Sequence, residues 1–389
     1  MRLKLNYGRF NLVDFTFMAG YFCILLAFLF TCTTYPNNYE FINTMTRNLR
    51  VVGYAFLMVK LLSNLALKRD RVALLVLVII AIFITVYITD SIVLLTDILV
   101  IISSVNIELK KVIKFDLVCR LFFLVFALLS YYLGIIPEVV DYRNWVEIRH
   151  SWGFAHPNRL ALHLLVMCLY LFYLSYNKKR SFYRFAFYAI AFYFNYSVTG
   201  GRTSAVGILF LFILELYRKS RYASLLTEFL NKGKNVVSNI LLFGSVFISF
   251  LIAMLSAIGV IQYNGTTISS RAVLAGRALI TYGLTIFGRK IETVGTLEAQ
   301  RQGIASNGVD NAFVYLLVNY GLIVFVIFVL LLYATFKEIN KRSDYAAFIC
   351  MTIIIVSSIM EGQFINVESN LFLLLSAYLF SLNKNKLIT

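Results

Sequence analysis

Acidic residues are scarce in this chain: 19 Asp and Glu stand against 36 Lys and Arg, and charged residues of both signs fill only 14% of its 389 positions. Soluble domains carry about 25% charged residues to cover their surface, so the shortage excludes an ordinary soluble enzyme. Proline is scarcer still. Pro36, Pro137 and Pro157 all fall at the ends of apolar runs and not inside them, so proline-broken helices of the kind that build many transporter sites are not expected. The five cysteines lie inside apolar runs without CxxC spacing, which argues against both a metal site and a disulfide framework. No short apolar segment with a small-residue cleavage site opens the chain, so the first apolar run is expected to be retained as a membrane span.

Apolar residues are what the chain has in excess, at 60%, with 16% aromatic. A helix needs about 20 such residues to cross a bilayer, and about twelve runs qualify: 12–32, 48–67, 72–89, 91–107, 116–136, 157–176, 182–198, 203–217, 237–260, 312–336, 345–361 and 366–382. The expected fold is an all-α polytopic bundle, one integral-membrane domain over residues 1–389, with a single large loop, 261–311, between the ninth and tenth spans. Alternation sends Arg2, Lys4 and Arg9, then Lys68–Arg71, Lys110–Lys114, Lys178–Arg184, Arg218–Lys234, Lys337–Arg342 and Lys384–Lys386 to one side. By the positive-inside rule that side is cytoplasmic, with both termini on it. The net charge of +17 thereby reads as orientation and attraction to anionic lipid, not as nucleic-acid binding. Internal repeats are not evident, which also counts against a transporter.

The opposite side keeps Arg47, Arg50, Arg143, Arg149, Arg159, Arg202, Arg271, Arg277, Arg289, Lys290 and Arg301. Arginine dominates there, and guanidinium grips phosphate with two parallel donors. For each one the alternative is contact with lipid phosphate. Within the large loop, apolar residues recur at helical spacing from Arg271 to Phe287, which predicts a helix lying along the interface and ending at Phe287-Gly288. The polar stretch 292–308 then returns the chain to the membrane at Asp310. Asp310 and Asn311 precede an apolar helix, where either residue type is a favoured N-cap worth about 1 kcal/mol, so Asp310 is either a cap or a proton acceptor.

In "HSWGFAHPNRLALH" (150–163), Pro157 suits the first position of a helix, and His156, Arg159 and His163 share one face. The two histidines stand about 10.5 Å apart along the axis, too far to chelate one metal, and no metal or other cofactor is expected. His156 is a helix cap, a competing base or an acceptor-sugar contact, and His163 an internal hydrogen-bonding group. Asp97, the deepest acid, is either functional or paired with a neighbouring helix.

Three segments occur in order: "GFAHPNRLA", "SVTGGRTSA" and "VDNAFVYLLVNYGL", with the arginine-bearing "SSRAVLAGRALITYGLTIFG" between the second and third. Together they resemble the Wzy-type polysaccharide polymerases of Gram-positive bacteria, in the O-antigen polymerase and ligase superfamily, over about residues 115–335. The resemblance implies a GT-C-like membrane glycosyltransferase. Such an enzyme joins repeat units carried on undecaprenyl diphosphate at the outer membrane face, without metal and with inversion, for capsule or exopolysaccharide. Flippase and chain-length regulator proteins are implied partners. Arg202 matches the arginine of the short hairpin motif and Arg271 the arginine opening the loop helix, both implied to hold the donor diphosphate. Asp310 stands where the ligases carry a histidine, and becomes the implied base. His156, Asn158, Arg159, Arg277 and Asn311 lie beside these motifs as candidate substrate contacts. A ligase of the same superfamily and a lipid-linked oligosaccharide flippase remain the alternatives.

Overall fold

The structure, a computed structural model, describes residues 12–63, 69–143, 147–179, 181–217, 221–264, 266–291, 294, 299 and 306–380. Long apolar runs adopt helices because a helix satisfies its backbone polar groups within the segment. In chain order these are α1 (Leu12–Thr31), α2 (Tyr35–Asn38), α3 (Glu40–Ser63), α4 (Arg69–Thr89), α5 (Val93–Ser103) and α6 (Leu109–Tyr132). They are followed by α7 (Pro157–Ser175), α8 (Phe182–Tyr193), α9 (Arg202–Tyr217), α10 (Arg221–Ala257) and α11 (Thr267–Tyr282). Helix α12 (Ala312–Arg342) and α13 (Tyr345–Ser358) complete the series, with 3-10 segments at Gly362–Ile365 and Leu371–Phe380.

Four of these helices are long and apolar enough to cross a membrane, over Asp14–Thr31, Pro157–Ser175, Gly233–Ala257 and Ala312–Arg342. They differ in position: 78% of the α7 span is buried in protein, against 22% of the α10 span. Helix α7 is therefore an axis of the bundle, and α10 presents Val236, Ile240, Phe243 and Phe247 outward. Exposed apolar surface on this scale suits a hydrocarbon solvent. Inside, Asp116 and Arg120 pair one helical turn apart on α6, both essentially inaccessible. The Tyr21 hydroxyl donates to Asp116 and Arg120 donates to the Glu368 carbonyl, so this pair ties α1 and the C-terminal segment to α6.

The architecture is helical as expected, with one short addition: β1 (Val140–Arg143) and β2 (Glu147–His150) form an antiparallel hairpin with Asp141 opposite Arg149. Other expectations are corrected. The loop helix ends at Tyr282 and not at Phe287, because Gly283 takes φ 62° and its N–H closes on the Leu279 carbonyl. The return segment expected over 292–308 lies largely outside the described residues. Helix interruptions occur without proline. The last run, expected as one helix from 366, is broken over 366–370 and winds as a 3-10 helix only from Leu371. Helix α12 carries a π turn at Leu316–Tyr320 followed by Gly321 at φ 84°.

That second interruption has a visible cause. The backbone of 285–289 docks into it, with Arg289 N–H donating to the Asn319 carbonyl at 3.0 Å and Leu322 N–H to the Thr285 carbonyl at 2.9 Å. Gly288 (φ 86°) and Gly321 meet so closely that a Cβ on Gly321 would lie 2.2 Å from the Gly288 nitrogen. Gly321→Ala combines this clash with a disfavoured φ and is expected to cost at least about 1–3 kcal/mol. Gly244→Ala, which meets nothing within 4 Å on α10, should be neutral or gain up to about 1 kcal/mol. Thermal unfolding of the two variants in detergent measures the difference.

Candidate functional site

Six separate stretches of chain meet at one end of the bundle. The first is the β-hairpin, whose alternation puts Asp141 and Arg149 on the buried face. The Arg149 guanidinium donates to Asp141 at 2.7 Å, to the Thr199 carbonyl at 2.8 Å and to the Asn158 side chain. The second is the start of α7, where His156 is extended at φ −160° and its Nδ1 accepts the Asn158 N–H at 3.0 Å. Asn158 thus orients Arg149, and His156 is the helix cap. His163 lies inside the bundle, its Nε2 3.3 Å from the Arg120 carbonyl. Arg159 is near enough to Cys32 to act on its thiol electrostatically.

The third stretch is the turn between α8 and α9. A π turn at Phe194–Val198 leads into Thr199-Gly200-Gly201, with the Gly201 N–H donating to the Asn195 carbonyl at 2.8 Å. A Cβ on Gly201 would lie 2.4 Å from that of Ala161, so the turn can seat against α7 only with glycine there. Gly200, at φ 58°, lies against Glu147 and Arg149 of the hairpin. Arg202 then opens α9, 57% exposed, and pairs with Glu147 at 2.9 Å.

Arg271, on the first turns of α11, is buried at 8% exposure. Its Nε lies 3.4 Å from Asp310 and one terminal nitrogen 3.0 Å from Glu361; the other donates to the Met360 carbonyl and, at 3.4 Å, to the Thr203 hydroxyl. Helix α11, the head of α12, the end of α13 and the start of α9 are thereby joined through one side chain. The Glu361-Gly362 segment runs against Val309-Asp310, each of whose carbonyl oxygens would lie 3.5 Å from a Cβ on Gly362. Arg277 is exposed, and its six-residue offset from Arg271 turns it about 240° around α11, so it is not part of the cluster.

The choice left open for Asp310 is settled on one side. Asn311 is the N-cap, its side-chain oxygen accepting both Phe313 and Val314 N–H at 3.1 Å. Asp310 caps nothing; its carboxylate is 46% exposed beside Arg271. Surrounding protein pushes this carboxyl above its ordinary range, while Arg271 and Arg149 pull it back. Burial likewise raises Glu361, against Arg271. His156 is pushed down to about 4, first by burial and then by Arg149, Arg159 and Arg271. A histidine held neutral among guanidinium groups is a poor proton acceptor, because protonating it adds a cation to a cationic surrounding. Asp97 belongs to a different group: buried in α5, it accepts the Val367 N–H at 2.8 Å.

Of the expected trio, Arg271 pairs with Asp310 and reaches Thr203, the residue after Arg202, while the Arg202 side chain itself turns to Glu147 of the hairpin. Arg149 is among the arginines expected on this side, though without a role; Glu361, Asp141 and Glu147 carry no sequence expectation. Against known proteins the chain finds no match, whether among family models, curated proteins or solved structures. Among the described residues no group of His, Cys, Asp and Glu has a metal-binding arrangement. Charge-assisted chemistry by arginine and carboxylate is what the cluster can supply: anion binding at Arg202 and proton acceptance at Asp310. Asn311→Ala is expected to destabilise the protein by about 1 kcal/mol, whereas Asp310→Asn, at a part-exposed pair with the cap intact, should change stability by less than that. Paired thermal melts check the contrast.

Proposed function

We propose that the chain is a polytopic membrane glycosyltransferase that joins oligosaccharide units carried on undecaprenyl diphosphate into polysaccharide at the outer face of the cell membrane. The observation that supports this reading most is the convergence of Asp310 with Arg271 and the Arg202-bearing turn, three sites far apart in sequence. All were placed on one side by alternation of about twelve spans. Residues placed on the other side also meet one another: Lys234 donates to the Asn340 carbonyl at 2.7 Å, and Tyr173 to Asp344 at 3.2 Å. That segregation supports a bundle with two distinct polar ends; the twelve spans, cytoplasmic termini and GT-C-like outward site are part of the proposal.

In the reaction an acceptor sugar hydroxyl gives its proton to the Asp310 carboxylate and its oxygen attacks the anomeric carbon of the donor. The bond from that carbon to the diphosphate oxygen breaks, the electron pair leaves with the diphosphate, and the anomeric configuration inverts. Arg202, exposed and cationic, is placed to hold the developing charge on the leaving group. Asp310 has one oxygen on Arg271 and a solvent-accessible side, the geometry a base needs to reach an incoming hydroxyl.

A transporter of the same lipid-linked sugars is the second reading, favoured by the unwound stretch at 366–370 whose Val367 N–H meets the buried carboxylate Asp97. Product length and sidedness separate the two. Purified protein in liposomes with lipid-linked repeat units should build a ladder of polymer. Asp310→Asn and Arg202→Ala, inserted normally, should each lower the rate by about 10²-fold or more. Full-length polymer from both variants, or passage of unpolymerised units across the bilayer, would overturn the polymerase reading.

A further inference from the structure

Arg271 is usually the kind of residue assigned to a phosphate, yet every nitrogen of its guanidinium is taken. Asp310 lies at Nε, Glu361 at one terminal nitrogen, and the Met360 carbonyl and Thr203 hydroxyl at the other. A bidentate grip on phosphate needs two parallel donors on one edge, and each edge of this fork already meets a protein oxygen. Arg149 is committed in the same way, to Thr199, Asp141 and Asn158. Arg202, 57% exposed and paired with Glu147, is the guanidinium of the three that meets solvent.

We infer that Glu361 is a positioning residue: it holds one arm of the Arg271 guanidinium so that the rest of that group fixes the Asp310 carboxylate, and Arg271 serves the proton acceptor while Arg202 serves the donor diphosphate. The inference rests on Asp310 being the proton acceptor. Were Glu361 absent, Arg271 could turn its fork onto both oxygens of Asp310, the strongest arrangement for this pair. Such a clamp would cover the oxygen that has to receive the proton and lower its basicity. With Glu361 in place, the contact of Asp310 with Arg271 runs through Oδ2 at 3.4 Å, and the carboxylate stays 46% exposed.

The charged groups facing Asp310 are Arg271 from α11, Arg149 from β2 and Glu361 from the segment after α13, and His156, beside Arg149, is neutral near pH 7. Signs follow from these neighbours. Glu361→Gln removes a negative charge and frees Arg271 for Asp310, so the Asp310 carboxyl should titrate lower. Arg271→Gln removes the nearest cation, so it should titrate higher. Each shift is expected to be about 0.5–1 pH unit.

Two readouts test this on the full-length protein in liposomes. Difference infrared spectroscopy of the resting protein, with the Asp310→Asn variant identifying the Asp310 carboxyl band, follows that titration without any turnover. The pH profile of polymer formation gives the acid limb of kcat and the KM for lipid-linked donor. The expected result is opposite displacement of the infrared titration by Glu361→Gln and Arg271→Gln, with the acid limb moving in step and donor KM within about twofold of wild type. Glu361→Asp, which keeps the charge, should restore much of the wild-type profile. Arg202→Ala should instead raise donor KM and leave the infrared titration in place. If the infrared titration is unmoved in both Glu361→Gln and Arg271→Gln, the positioning role is wrong. If Arg271→Gln raises donor KM about tenfold with the titration unmoved, Arg271 belongs to the diphosphate. Displaced infrared titrations without any polymer formation would leave the Glu361 and Arg271 geometry standing and remove Asp310 as the base of this reaction. Should Glu361→Gln fail to insert, Arg271→Gln alone still decides, since its titration must rise.

Discussion

A guanidinium buried at the end of a helical bundle has to be neutralised where it sits, and the neutralising groups fix everything around it. Breaking a buried pair by removing one partner typically costs about 3–5 kcal/mol, because the other charge is left desolvated. Arg271 meets that requirement chiefly with the buried Glu361, and adds the part-exposed Asp310 from a chain segment about fifty residues earlier. Their demands set the head of α12 beside the end of α13 and hold α11 across both. The hairpin solves the same problem for Arg149 with Asp141, and passes the result to the Gly200-Gly201 turn through the Thr199 carbonyl.

From these two neutralised arginines the division of labour at the site follows. Side chains whose donors are consumed by protein hold the shape. Those that keep exposure, Arg202 and the free side of Asp310, face whatever enters. The asymmetry between Asp310 and Asn311 is part of this arrangement. A single capping residue suffices for α12, and Asn311 takes that place with two hydrogen bonds, which leaves the neighbouring acid free of the capping task. His156 carries the opposite lesson, since its capping bond and its cationic neighbours both keep it neutral.

Much of this was legible in the chain. Apolar length located the helices, and charge alternation sorted Arg202, Arg271 and Asp310 to one end, where Arg271 pairs with Asp310 and meets Thr203 beside Arg202. Asn311 and His156 were recognisable as caps from residue type and position. Glu361 was overlooked although the same alternation puts it at that end too; an acid closing an apolar run was the available signal. The hairpin was missed because its period-2 pattern, Asp141 and Arg149 in against Tyr142 and Ile148 out, spans only eight paired residues between long helices. The breaks at Gly321 and at 366–370 carry no proline, and they depend on backbone from 285–289 and on Asp97, partners that local sequence does not reveal.

If Asp310 and Arg202 serve the two partners of one transfer, a structure of the Asp310→Asn protein with a lipid-linked sugar diphosphate and an acceptor sugar bound must place both partners between them. The diphosphate is expected on the Arg202 guanidinium, with an acceptor hydroxyl within about 3 Å of the side chain at position 310. A diphosphate bound elsewhere, against Asp97 and the unwound 366–370 stretch or at any place beyond reach of Arg202, would contradict it.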